Sequence, residues 1–280
     1  MIYASTSCLR NPKDILKVLD EYEKAEIENV ELGSIHDNFD TKKLKNYNFN
    51  YIAHGYFPPP KNPFNFNLAS QNKIIRKKSI DLIKNAIDIC CNINSPIFTF
   101  HAGFTVDPPK LGKRFPRSGM ISRELARNTF FESTRIALDY AKERDIKLAM
   151  ELNVVQKFNL DNEKNNLLLF ADYDETEIFY KEFDKNEIGI LLDLGHTAVT
   201  SHWLKFDKDE FVKRIKDKVS GVHASNNNGI QDQHKRLTKN CWQSSKLKIF
   251  KKLPITLETM NLTTKEIKNN IKIAKDCINN

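Results

Sequence analysis

Short apolar runs that stop on one polar residue recur along this chain. Tyr51-Ile52-Ala53 ends on His54, Ile97-Phe98-Thr99-Phe100 on His101, Leu148-Ala149-Met150 on Glu151, Ile190-Leu191-Leu192 on Asp193 and Ile255-Thr256-Leu257 on Glu258. Runs of this length read as buried strands, and the segments between several of them repeat apolar residues at helical spacing. The pattern predicts eight strands: residues 2–5, 29–32, 51–54, a fourth ending at His101, a fifth ending at Glu151, then 188–193, 220–223 and 255–258. Helices are expected over about 12–25, with Pro12 in the first turn, about 72–91, about 122–144 and about 264–277. Eight strands interleaved with helices point to the α/β class, a single (β/α)8 TIM barrel filling residues 1–280 as one domain. The long segments after the third, fourth and fifth strands leave from the polar-ended side, where such a barrel carries its substrate loops.

A strand ending in His, Asp or Glu buries its length and offers one ligand at its carboxyl end. Five of the seven histidines and at least four carboxylates fall at or just beyond such ends. Asp193-Leu194-Gly195-His196 adds an imidazole three residues after a strand-end carboxylate, and Asp232-Gln233-His234 places two ligands in one loop. Each of these alone is ordinary. Together they would bury many charges at several kcal/mol each unless cations compensate them. Mixed imidazole and carboxylate ligation suits a divalent metal such as Zn²⁺ or Mn²⁺ better than Mg²⁺ or Ca²⁺.

Composition changes the picture little. Hydrophobic residues make up 40% and charged residues 29%, as in ordinary globular proteins. The net charge of +8 comes from lysines spread over the whole chain among many Asn and Ile, so it reads as compositional rather than as a nucleic-acid patch. The five cysteines form no CxxC pair, and no apolar run reaches membrane-spanning length. A reduced, cytoplasmic setting without a membrane partner is the expectation, with Cys90 and Cys91 in or near the core.

The joint pattern resembles the xylose isomerase-like TIM-barrel superfamily, which holds sugar isomerases and epimerases together with the endonuclease IV group of abasic-site DNA repair enzymes. The resemblance runs over essentially the whole chain. Glu151, Asp193, His223 and Glu258 match, in order, the four ligands of the single-metal epimerases. His54, His101, His196, Asp232 and His234 match by motif the five further ligands with which endonuclease IV holds three zinc ions. Asn67-Leu68-Ala69-Ser70 and His101-Ala102-Gly103 resemble segments of the nuclease group, whereas the stretch from His223 to His234 is closer to the isomerase-like members. Leu152-Asn153-Val154-Val155 departs from the nuclease pattern, and the glycine-free segment from Lys235 to Asn240 departs from the pattern of both groups.

The resemblance implies two chemistries. In a metal-dependent isomerase or epimerase acting on a sugar or sugar phosphate, Glu151 and Glu258 would move a proton between opposite faces of one carbon. Asn67, Arg114 or Arg236 would then bind substrate, with Lys110, Lys113 and Arg117 as further anion-binding candidates. In a zinc phosphodiesterase cleaving DNA at abasic sites, up to three metals would serve phosphoryl transfer, and Phe57, Phe64 and Phe66 would form either a wedge into the duplex or a cap over the barrel mouth. The altered loops make the small-molecule isomerase or epimerase the expectation, with the phosphodiesterase, which the surplus ligands favour, as the alternative.

Overall fold

The computed structural model describes residues 1–107 and 115–279. Eight parallel strands close into a barrel: β1 (Ile2–Ser5), β2 (Asn29–Leu32), β3 (Asn50–His54), β4 (Ile97–His101), β5 (Lys147–Glu151), β6 (Ile188–Asp193), β7 (Val219–Ala224) and β8 (Ile255–Leu257), which returns to pair with β1. The helices are α1 (Ile15–Lys24), α2 (Lys73–Asn92), α3 (Arg123–Lys142), α4 (Tyr173–Glu182), α5 (Leu194–Leu204), α6 (Lys208–Ile215), α7 (Trp242–Lys246) and α8 (Thr264–Asn279). The β2–β3 crossover has a 3-10 turn, Thr41–Asn46, capped by Asp40, in place of an α-helix.

Side chains alternate along each strand between the helix layer and the barrel interior. Tyr3, Ile52, Ile97, Ala149 and Leu191 form an inner apolar cluster. Two residues further along β3, β5 and β6 the same inward positions are His54, Glu151 and Asp193. The register fixes their height, since His101 pairs with Glu151 and Asp193 with His223 across neighbouring strands. The ligand-type residues thus form a ring at the carboxyl ends above an apolar floor.

Several boundaries differ from the sequence expectation for identifiable reasons. Helix α1 starts at Ile15 rather than near Pro12, because the Asp14 side chain accepts from the Leu16 and Lys17 amides and the Pro12 carbonyl is bound by His36. The starts of α2 and α3 follow their caps, Asn72 and Ser122. Cys90 is buried as expected, whereas Cys91 is exposed.

Candidate metal centre

Local backbone chemistry aims the ligands before any contact among them. Asp193 ends β6 and caps α5: its Oδ1 accepts from the His196 amide at 2.7 Å, leaving Oδ2 turned into the barrel. That capping geometry is why a carboxylate and an imidazole three residues apart reach the same cavity. Gly195 lies between them where a Cβ would stand 2.8 Å from Ser225 Oγ and 3.0 Å from Asp193 Oδ1, so the close approach needs glycine. His234 adopts φ +45° and its Nδ1 is held by the Glu258 carbonyl oxygen at 2.9 Å, which turns Nε2 to within 3.0 Å of Asp232 Oδ2.

All nine ligand-type residues singled out in the sequence meet in one cluster. Glu151, fully buried, is its hub. His101 Nδ1 lies 2.9 Å from Oε2, His54 Nε2 3.3 Å from Oε2, and His196 Nδ1 3.1 Å from Oε1. His196 Nε2 reaches Asp232 Oδ2 at 3.4 Å, and His223 Nδ1 reaches Glu258 Oε2 at 3.4 Å. Among the described residues, three sets have ligand atoms mutually within 4.8 Å: His54, Glu151 and His223; His196, Asp232 and His234; and Glu151, Asp193, His223 and Glu258.

The donor set fits divalent cations. Both Glu151 carboxylate oxygens, Asp193 Oδ2, Asp232 Oδ1, His196 Nδ1 and His223 Nδ1 are buried without a hydrogen-bond partner. Leaving so many polar atoms orphaned costs roughly 1–3 kcal/mol apiece. Ions in the three sets would remove that cost.

Charge in the cluster is arranged to the same end. Burial would raise the Glu151 carboxyl, but the positive potential of His101, His54 and His196 holds it well below the usual range. Burial also opposes ionisation of Glu258, yet His223 and His234 bring it down to about 2. Asp193 is pushed up to about 6 by burial, with Glu151 and Glu258 adding to the shift. Burial drives His54 down to about 3. For His234 burial is outweighed by Asp232 and Glu258, and its pKa rises to about 10. His196 and His223 are also raised, burial losing to the surrounding carboxylates.

One residue of the site was missed in the sequence. Glu31, on β2, is buried with Oε2 2.8 Å from His223 Nε2 and bonded by Thr256 Oγ1 at 2.9 Å. Its strand, Asn29-Val30-Glu31-Leu32, shows a carboxylate inside a buried run, which was the available signal. His54 is similarly fixed through Nδ1 by Thr99 Oγ1 at 2.8 Å.

The expected substrate contacts fare differently. Asn67 is bound within the protein: its Nδ2 donates to Asp107 Oδ1 and the Phe104 carbonyl, and its Oδ1 accepts from the Ala69 and Phe104 amides. It braces the β3 loop against the β4 loop. Arg117 is likewise committed, donating to the carbonyls of Phe158, Asn159 and Leu160. Arg236 is exposed, pairs with Glu266 at 3.2 Å, and borders a separate cavity beside His234. Arg114, Lys110 and Lys113 lie outside the described residues. Phe57 is fully buried, and Phe66 is buried in the wall of a cavity against His101, so these two rings do not project as a wedge.

These features describe a cluster of metal-ligand-type side chains at the carboxyl ends of the strands of a (β/α)8 barrel. The chain belongs to the xylose isomerase-like TIM barrel family, whose match covers residues 40–276. An uncharacterized protein of Methanocaldococcus jannaschii is 29% identical over 181 residues, 62% of this chain and 53% of that protein. The apurinic-apyrimidinic endonuclease 1 of Plasmodium falciparum is 24% identical over 271 residues, 90% of this chain and 40% of that enzyme. This chain thus spans about half the length of the first relative and less of the second. Among solved structures, a D-tagatose 3-epimerase-like protein superposes with TM-score 0.72 at 18% identity, covering 99% of this chain and 97% of its own. An L-ribulose 3-epimerase gives 0.64 at 12%, covering 99% and 91%. At these identities the structures share the fold. No described helix is long and apolar enough to cross a membrane.

Proposed function

We propose that the protein is a divalent-metal-dependent phosphodiesterase with up to three ions, probed first as zinc. The observation that carries this reading is the surrounding of Glu151. A carboxylate that shuttles a proton to a substrate carbon needs an oxygen facing that substrate. Both Glu151 oxygens are buried and faced instead by imidazole nitrogens of His54, His101 and His196 at 2.9–3.3 Å. In that environment Glu151 would hold metal rather than carry the proton. An epimerase needs one ion, and five further ligands would have no task in it.

His54, Glu151 and His223 would hold one ion, with His101 beside the same Glu151 oxygen as a further ligand, Glu151, Asp193, His223 and Glu258 a second, and His196, Asp232 and His234 a third. Bound there, the metals supply Lewis acidity and an activated water. The chain's own contribution is orientation and proton handling. Glu258 keeps some exposure, 16% of its side chain against none for Glu151, so its carboxylate is the one placed to take a proton from an attacking water. Overall, water adds hydroxide to phosphorus, one P–O bond breaks, and the leaving alcohol gains the proton. Barrel walls exclude bulk water around the buried ligands, strengthening each electrostatic contact.

A sugar or sugar-phosphate isomerase or epimerase is the second reading. The set Glu151, Asp193, His223 and Glu258 is by itself a complete single-ion site, and it favours that chemistry. The test is hydrolysis of bis(p-nitrophenyl) phosphate by zinc- or manganese-loaded protein, run beside a panel of ketoses and their phosphates. Metal-dependent release of nitrophenol, lost in Glu258→Gln, supports the proposal. Ketose epimerisation at one ion per chain, without ester hydrolysis, establishes the second reading instead.

A further inference from the structure

A cavity of about 260 Å³ opens directly on the cluster, with His101 and Asp232 in its wall. Its sides come from the loops after β3, β4 and β5. Tyr56, Phe66, Phe104, Phe115 and Phe158 supply aromatic surface. Phe104 and Phe115 meet edge to face with centroids 5.0 Å apart, and Phe158 stands at the mouth, 40% exposed.

The polar groups of this wall are largely bound by the protein itself. The Tyr56 hydroxyl is tied to the backbone of Phe64. Asn153 Nδ2 donates to the carbonyls of Gly103 and Leu169, Asn159 Oδ1 accepts from the Gln156 amide, and Gln156 Oε1 accepts from the Asp232 amide. A bare sugar would bring several hydroxyls into a wall with few free partners, and each unpaired group would weaken binding. A flat ring loses nothing there and gains stacking surface.

Resting on the phosphodiesterase reading for the chemistry, we infer that this cavity is a ring subsite: the substrate is a phosphodiester carrying a nucleobase or similar heteroaromatic group, not an abasic sugar phosphate. The ring lies among Phe66, Phe104 and Phe158 while the ester reaches the ligands beside His101 and Asp232.

The test has a binding arm and a turnover arm, both on the metal-loaded protein. Calorimetric titration compares adenosine with ribose. Turnover compares thymidylyl-thymidine with the same backbone bearing tetrahydrofuran units in place of the nucleosides. Adenosine should bind and ribose should not, and the ring-bearing diester should show the lower KM. Phe158→Ala, a change at an exposed position, should weaken adenosine binding and raise that KM about tenfold to a hundredfold. Equal binding of ribose, an unchanged adenosine affinity in Phe158→Ala, or equal KM for the ring-free backbone overturns the inference. If neither diester is cleaved while adenosine binding still depends on Phe158, the ring subsite stands and the phosphodiesterase reading falls.

Discussion

Glu31 and His223 face each other across the barrel, Oε2 to Nε2 at 2.8 Å, on strands far apart in sequence. The opposite nitrogen of the same imidazole points at Glu258. A carboxylate behind an imidazole fixes the ring's orientation and makes it a better donor to a cation. Replacing Glu31 with Gln should therefore lower metal affinity about 10- to 100-fold with the fold intact. Chelator competition on wild type and variant reads this directly. Equal affinities would mean that strand geometry alone orients His223.

Glu151 and Glu258 should part company when each is changed to its amide. Glu151 belongs to two of the three ligand sets and is enclosed by three histidines. Glu151→Gln is expected to reduce the metal content by more than one ion, measured by elemental analysis. Glu258→Gln should retain most of the metal and lose most of the activity. The idea fails if the two variants show the same metal content.

His101 offers a cleaner subtraction. Its side chain is 39% exposed, and among the described residues its close ionic partner is Glu151, so truncation leaves little buried void. His101→Ala should remove one ion and shift the melting temperature of the metal-free protein little. Unfolding without a change in metal content would assign His101 a structural role.

Much of the barrel was legible because its strands are short apolar runs with distinct ends, and the ligand-type residues lay at those ends. The helices between β5 and β8 were not. Helix α5 is buried on nearly every face from Leu194 to Ser201, so it shows no amphipathic period to detect. Glu31 escaped for a related reason: a carboxylate in mid-strand reads as an outward residue until β7 is known to lie across the barrel. Asn67 and Arg117 carried the right chemistry for substrate binding, and a single sequence does not show that each is also bound to a neighbouring loop. The separate roles of Glu151 and Glu258 also depend on burial.

Metal loading should be proton-linked. In the metal-free protein, Asp232 and Glu258 overcome the effect of burial and hold the His234 proton up to about 10. That imidazolium stabilises the fold fully below its ordinary pKa of 6.5, and its contribution is lost as pH rises through about 10. A cation must displace the proton, so affinity at the His196, Asp232 and His234 set should rise with pH across this window, about tenfold per unit for each proton released. Zinc titrations in buffers of different ionisation enthalpy should show net proton release at neutral pH. A pH-independent affinity would mean that His234 is not a ligand.

Gly195 provides a test of how closely the ligand cap is built. An added methyl would lie 2.8 Å from Ser225 Oγ, 3.0 Å from Asp193 Oδ1 and 3.2 Å from Asn227 Nδ2. The first of these neighbours is buried and the second caps α5, so relief requires the α5 turn to move away from β6. Overpacking of this kind costs about 1–3 kcal/mol. Gly195→Ala should lower the melting temperature by several degrees, and because the turn carries both Asp193 and His196, it should also lower metal content. Thermal melts with and without metal separate the two effects: loss of the metal-induced increment beyond the loss in the metal-free protein locates the damage in the ligands. A variant with unchanged melting temperature and full metal content would show that Ser225 simply rotates aside.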